Sequence, residues 1–315
     1  MVRDLPGDPE GQVEVRLGAE SALEPLSPER FYGAVYHREE TIDAQRHGTH
    51  AYTFSGTVLK ADVLIAVPKL KVHKKVGVTL NLKGFMGANT NKNRCVHYSL
   101  GAPSRGGDQY PDGWFTPREE ALIKLERWMY DHLLAPRRRS LEYLHRAAYW
   151  LHGRTLGPLG WRVPKEKRLL DAGNWHGNDS AWRMVADLTR IVHFAGADGR
   201  LKEVQQRRTF SVVDGLVAGE RNGPLSPDPN PAGVLLGGES YLAVDLAATR
   251  WMGLDPGRLR QFDVGRDATL DLGPRGIEDV RLVSDDAGLV CRFEDLTDRG
   301  AGLVPHPGWE GHIEL

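Results

Sequence analysis

The sequence predicts an α/β protein with a mostly parallel central sheet, flanking helices, an inserted basic helical hairpin and a small β-rich carboxyl-terminal segment. Three observations point there. Val63 to Val67 is a continuous apolar run, β-branched and short enough to be a strand buried on both faces. From residue 179 onward, apolar residues at helical spacing alternate with further short β-branched runs. Residues 117–152 keep helical spacing but become rich in Lys, Arg and aromatic residues. The expected organisation is a loosely ordered arm over 1–50, a core over 51–267 with the insertion at about 115–170, and the β-rich segment over 268–315.

Residues 1–30 contain the turn-prone pairs Pro6-Gly7 and Ser27-Pro28 and show no sustained periodicity beyond Val13 to Leu17. Ser27 at a cap and Pro28 at the first helical position predict a short helix over 28–36. Residues 50–59 offer one strand before the central one. Val76 to Leu82 is apolar with Thr79 and Asn81 embedded, and periodicity leaves strand or helix open. The Gly- and Asn-rich stretch 84–93 and the turn-dense 101–113 make a long loop, a type more often functional than idle.

Leu122, Leu125, Met129, Leu133 and Leu134, then Leu141, Leu144, Ala148 and Leu151, predict two helices broken near Pro136. Residues 121–170 hold eleven Lys or Arg against four Asp or Glu, interleaved with Trp128, Tyr130, Tyr143, Tyr149, Trp150 and Trp161. Such a surface is a solvated helical face, a contact with anionic lipid or a lipid-linked substrate, or an oligomer contact. Beyond it, Ser180 caps a helix carrying Trp182, Val185, Leu188 and Ile191. Phe210–Val213 and Val234–Leu236 are strands, Leu242–Met252 a helix, and Val280–Val283 and Leu289–Phe293 are short strands.

Composition sets limits. With 315 residues, 40% apolar residues and a formal net charge of −1, the chain can bury one large core or two modest ones. A near-neutral chain lacks the basic surface that general nucleic-acid binding needs, so any cationic site is local. Cys95 and Cys291 make no disulfide framework, and no run of about 18 apolar residues appears. The expected address is the cytosol, with the basic insertion leaving room for peripheral membrane contact.

Lys69, Lys71, His73, Lys74 and Lys75 crowd just past the first strand, and Lys83 follows. Ligands of open α/β sheets gather at the carboxyl ends of strands, so this crowding predicts an anion site. Side chains alternate on extended backbone, which puts Lys69, Lys71 and His73 on one face. A buried lysine in such a group can also give up its proton and act as a base. The bland alternative is a solvated loop. Downstream, Asp214, Glu220 and Asn222 lie in a Gly-interrupted loop; they either hold a divalent cation or shape a turn and pair with Lys83 or Arg221. Asp245 either meets a helix amino end or reaches into the site. His176, among Asn174, Asn178 and Asp179, is a general acid or base or a hydrogen-bonded structural histidine. His97 and Asp108 are weaker candidates of the same kind.

The stretch DVLIAVPKLKVHKKVGVTLNLKGFMG at 62–87 resembles the core signature of the domain of unknown function 362 family, and VVDGLVAGERNGP at 212–224 and GVLLGGESYLAVDLAATRWMGLDP at 233–256 continue the resemblance in order. Together with GNWHGNDSAWRMVADL at 173–188, it looks most like the branch found with polysaccharide and secondary-metabolite genes. The resemblance strengthens the anion site and implies a biosynthetic or accessory role. Residues 1–51 lack the upstream β-α-β portion, opening on a Lys-Pro-Asn strand, that relatives carry. Many relatives also carry ferredoxin-like Cys clusters; two cysteines are too few for an iron–sulfur cluster here.

No P-loop, Gly-x-Gly-x-x-Gly turn, His-Glu-x-x-His or Gly-x-Ser-x-Gly elbow occurs. The leading expectation is an enzyme for a small phosphorylated or carboxylated metabolite. Lys69, Lys71 and Lys83 would hold the anion, Asp214 and Glu220 would orient a metal or a lysine, and His73 or His176 would move a proton; isomerisation, elimination and group transfer stay open. The alternatives are a non-catalytic binding or scaffold protein, and an accessory in a redox or metallocofactor pathway.

Overall fold

A computed structural model of the chain describes residues 7–33, 37–129, 131–132, 163–267, 270–285 and 300–315. In chain order its elements begin with β1 (Gln12–Arg16), β2 (Phe31–Gly33), α1 (Arg38–Ala44), β3 (Ala51–Ser55), α2 (Gly56–Lys60), β4 (Val63–Ala66), β5 (Lys69–His73) and β6 (Gly77–Val78). They continue with α3 (Leu80–Gly84), β7 (Val96–Ser99), α4 (Pro117–Met129), α5 (Ala181–Phe194), β8 (Arg208–Glu220), β9 (Asp228–Asn230), β10 (Val234–Gly238) and α6 (Tyr241–Trp251). The protein is α/β, with helices flanking a six-stranded sheet.

The sheet is built on β8. Its 13 residues are long enough to take two short strands in series along each edge. One edge pairs in parallel with β4 (Ile65 opposite Phe210) and then with β5 (Lys69 opposite Asp214). The other pairs antiparallel with β10 and then with β9, while β6 closes an antiparallel hairpin on β5.

Leu64, Ala66, Leu70, Val72 and Val213 face inward, onto the core shared with α3, α5 and α6. Met184, Val185, Leu188, Ile191 and Val192 form the buried stripe of α5, at the three- and four-residue spacing of a helix. The opposite sheet face departs from expectation: Ile65 is 67% and Val67 69% exposed, with Val63, Phe210 and Leu235 beside them. Among the described residues β4 is therefore covered on one face only.

The first fifty residues are not a loose arm over the part described. β1 pairs with all five residues of β3, and β2 pairs with β7. Buried Asp187 on α5 accepts from Ser21 Oγ (2.5 Å), Ala22 N (2.7 Å) and Tyr52 OH (2.8 Å), which fixes the segment across 166 positions of sequence. Partners so distant leave no local periodicity to read. The helix expected over 28–36 is one 3₁₀ turn, Pro28–Arg30, because the chain enters β2 at Phe31.

α4 opens with a capping box: Glu119 N donates to Thr116 Oγ1 (3.3 Å) and Thr116 N to Glu119 Oε2 (2.8 Å), with Pro117 first in the helix. The second helix expected near 141–151 and most of the basic aromatic stretch lie outside the described residues. At α5, Ser180 occupies the cap position but its hydroxyl meets Ser99 Oγ (2.8 Å); Asn178 Oδ1 takes Ala181 N instead. Among the described residues of 268–315 there is no strand. Gly273, Pro274 and Gly276 break the backbone there, and Val280–Val283 follow a 3₁₀ turn; Leu289–Phe293 lie outside the described residues. The tail is tied down by Ala301 N to Trp251 O and Leu303 N to Met252 O, both 2.8 Å. No helix among the described residues is long and apolar enough to cross a membrane.

Candidate functional site

The cationic strand divides at a register shift between Lys69 and Lys71. The extra residues are on β8, because Lys69 and Lys71, two apart, oppose Asp214 and Gly219, five apart; with Leu70 and Val72 turned to the core, Lys69 and Lys71 stay on one face of β5 but meet different partners. Lys69 Nζ pairs with Asp214 Oδ2 at 2.8 Å on the open sheet face, where both side chains are about two-fifths exposed. Lys71 Nζ donates to Pro224 O at 3.3 Å. His73 is buried in the hairpin turn, its Nδ1 accepting from Lys75 N at 3.0 Å. Gly77 closes that turn with φ +84°, and a Cβ there would stand 2.4 Å from Leu259 Cδ2. Only glycine fits.

Lys83 lies on α3, whose placement depends on a residue 162 positions downstream. Asp245 accepts from Asn81 N (2.9 Å), Asn81 Nδ2 (2.7 Å) and Leu82 N (2.9 Å). It thus satisfies the free amides at the start of that helix, as a cap residue would. Burial pushes the Asp245 carboxyl up to about 7 against the pull of these three donors. Asp245 therefore serves a helix amino end, that of α3 and not its own, and is a positioning residue for Lys83. Ser211 Oγ extends the network to Asn81 Oδ1 (2.9 Å).

Lys83 is 5% exposed, its Nζ 3.0 Å from Met86 Sδ, and no described carboxylate pairs with it. Burial pulls its ammonium down to about 8. His73 and His97 sit in the same electrostatic neighbourhood: burial first, then Lys83 and Lys75, hold both imidazoles well below their usual range. Both are neutral at pH 7. His97 is oriented through Nδ1 by Cys95 O at 3.0 Å. Lys75 donates to Ala172 O and is pulled by burial to about 7. The nearest carboxylates are engaged: Asp108 accepts Ser99, Asp179 and Ser180 amides, and Asp171 accepts Gln109 Nε2 and pairs with Arg127.

Lys75 also approaches a basic cleft, across the Tyr98 ring from Arg127. Its Nζ stands 5.3 Å over the Tyr98 ring, and Arg127 lies 5.7 Å from that ring. Tyr32 stacks on Tyr98 at 5.1 Å, and the Tyr98 hydroxyl is buried without a hydrogen-bond partner among the described residues. The cleft, about 540 Å³, is lined by Arg30, Arg38, Arg105, Lys124, Arg127 and Trp128 among others. Neither this cleft nor a larger one of about 770 Å³, bordered by Glu14, Glu39, Glu40 and Asp43, has Lys83, Lys75, His73 or His97 in its lining.

Residues 1–250 match the family model described as "Domain of unknown function (DUF362)". The chain belongs to the DUF362 family. The match includes the first fifty residues. No curated protein and no solved structure matches the chain.

In this DUF362 chain the remaining sequence-predicted residues lie apart from the cluster. Asp214 and Glu220 are six residues apart on one strand, about 20 Å at the rise of β structure. They cannot share an ion with each other. Glu220 Oε2 accepts from Asn230 Nδ2 and Val304 N, both at 3.1 Å, and Asn222 O takes the Ser226 amide (3.3 Å). The metal trio is thus strand and turn structure. His176 stacks on His312 with ring centres 3.5 Å apart, and burial with that neighbour lowers its pKa; neither Lys83 nor His73 contributes. Sequence reasoning singled out His73 and Lys83 but gave His97 little weight and assigned no role to Tyr98 or Arg127. The available signal for His97 was its neighbour Tyr98, one strand position away on β7.

Proposed function

We propose that this DUF362 protein is an enzyme acting on a small anionic metabolite, phosphorylated or carboxylated, by moving a proton at the Lys83 cluster. One observation carries the reading: a buried ammonium that no described carboxylate pairs with, in the electrostatic neighbourhood of His73 and His97. Uncompensated buried charge is costly, so such a site favours an incoming anion. Lys75 and His97 would share the ligand's charge, and the arginines of the basic cleft would draw it in. Lys83, pulled to about 8, titrates where a general acid or base is useful.

The test is a thermal-shift screen of phosphosugars, nucleotides and organic acids on wild type and Lys83→Met. A ligand at a hundred times its Kd adds about 2.7 kcal/mol to wild type. The same shift in the variant, or none in either, ends the proposal.

A non-catalytic binding or scaffold role is a second reading, favoured by the apolar sheet face around Ile65 and Val67 and by Leu125 and Trp128, each 52% exposed on α4. Arg137, Arg138 and Arg139, the residues that would meet an anionic surface, lie outside the described residues. Sedimentation with anionic liposomes checks this reading, and wild-type protein left in the supernatant removes its lipid form.

A further inference from the structure

The turn between α1 and β3, Gln45 to His50, carries chemistry that the Lys83 cluster does not use. His50 Nε2 stands 2.7 Å from Glu24 Oε2, and His47 Nδ1 stands 3.5 Å from Glu24 Oε1. One ligand atom from each of the three residues lies within 4.8 Å of the others; among the described residues no other group of three or more His, Cys, Asp or Glu comes so close.

The surrounding hydrogen bonds select the form of His50. Gln45 Nε2 donates to Ala51 O (3.2 Å) and Arg94 O (2.7 Å), which leaves Gln45 Oε1 facing His50 Nδ1 at 3.2 Å. An amide oxygen only accepts, so Nδ1 carries the hydrogen. In the neutral ring Nε2 is then a bare lone pair aimed at a carboxylate oxygen. Two acceptors 2.7 Å apart need a cation between them.

A second imidazole turned toward the same carboxylate favours a metal over a lone proton. Zinc binds imidazole nitrogen and carboxylate oxygen at about 2.0–2.2 Å, which puts tetrahedral ligand atoms about 3.3–3.5 Å apart. His47 Nδ1 stands 3.5 Å from Glu24 Oε1, within that range, and His50 Nε2, 2.7 Å from Glu24 Oε2, needs to open by about 0.6–0.8 Å; each imidazole faces its own oxygen of the carboxylate, between which the ion would sit. Metal-bound histidines usually donate their other ring N–H to a fixed acceptor, the part Gln45 plays here. Gly48 N donates to Glu24 Oε2 at 2.9 Å and steadies the carboxylate. His50 is fully buried while the His47 side chain is 56% exposed, so the ion would be anchored inward and keep a solvent-side position.

We propose that Glu24, His47 and His50 bind one divalent transition metal of the zinc type, with Gln45 as the positioning residue for His50. The ion would fasten the 18–26 loop to the turn before β3.

Metal-free full-length protein is titrated with Zn²⁺ against a chromophoric chelator, and with Co²⁺ to read its tetrahedral absorption. Wild type is expected to take up one tight equivalent and give the cobalt band. His47→Ala, changed at the most exposed of the three, is expected to bind at least about tenfold more weakly, a loss of about 1.4 kcal/mol. Glu24→Gln repeats the measurement at a second ligand, and melting in EDTA confirms that each variant is folded. No tight equivalent in wild type would mean an imidazolium–carboxylate pair only; that result, or uptake by both variants within tenfold of wild type, overturns the proposal.

Discussion

Asp245 and Asn81 are joined by two hydrogen bonds, of 2.9 and 2.7 Å, across 164 positions of sequence, and through them α6 sets the start of the helix that carries Lys83. Removing this carboxylate strands three buried donors. Asp245→Ala is expected to lose about 2–4 kcal/mol in urea unfolding, and Asp245→Asn less. A loss below about 1 kcal/mol would show that α3 holds its place without the cap.

Lys83→Met is expected to behave in the opposite direction. It removes a buried charge with no carboxylate partner among the described residues, so the ligand-free protein should gain about 1–3 kcal/mol while losing its response to anions. Chemical denaturation measures the first effect and ligand-dependent melting the second. A variant less stable than wild type would mean that Lys83 is already compensated.

The pH dependence follows from the same lysine. Below about pH 8 it is protonated in both folded and unfolded chains, and the cost of burying the charge is fully present. Between about 8 and its ordinary 10.5 the folded protein has released a proton that the unfolded chain keeps. Stability therefore rises with pH through that window. Wild type should gain on Lys83→Met between about pH 8 and about pH 10.5, and anion-dependent stabilisation should fade as pH rises through about 8. Parallel pH profiles for the two proteins would remove the premise.

The Lys69–Asp214 pair should matter little. Both side chains are substantially exposed, and surface pairs are screened and entropically costly. Asp214→Asn is expected to leave the melting midpoint, the anion response and the metal content of purified protein unchanged. A loss of bound metal in this variant would restore Asp214 as a ligand.

The legible parts of the fold were those with local signatures. The β4 run, the helical spacing of Leu122, Leu125 and Met129 and the stripe of α5 are set within one element, and each forms where the sequence places it. Ser21, Tyr52 and Asp187 meet from three distant segments, so the N-terminal portion looked unstructured although it is integral. His73 and Lys83 were legible because cations cluster around a strand end. Their separation from Lys69 was not, because Lys69 meets Asp214 on the open face while His73 is buried in the hairpin turn and Lys83 lies on a helix that Asp245 caps, and these partners are far apart in sequence. Asp245 left two readings open from sequence, since the helix end it serves belongs to another element.

The pairing of β4 and β5 with β8 has a consequence for synthesis. Residues 63–73 wait for a strand that begins at Arg208, so a ribosome must add well over a hundred further residues before the sheet can close. Contacts this remote slow folding and leave unpaired strand edges exposed in the meantime. The nascent chain thus carries an adhesive apolar ribbon, Val63 to Val67, through nearly half of its translation, and fragments ending before Arg208 lack the strand that pairs with its edge.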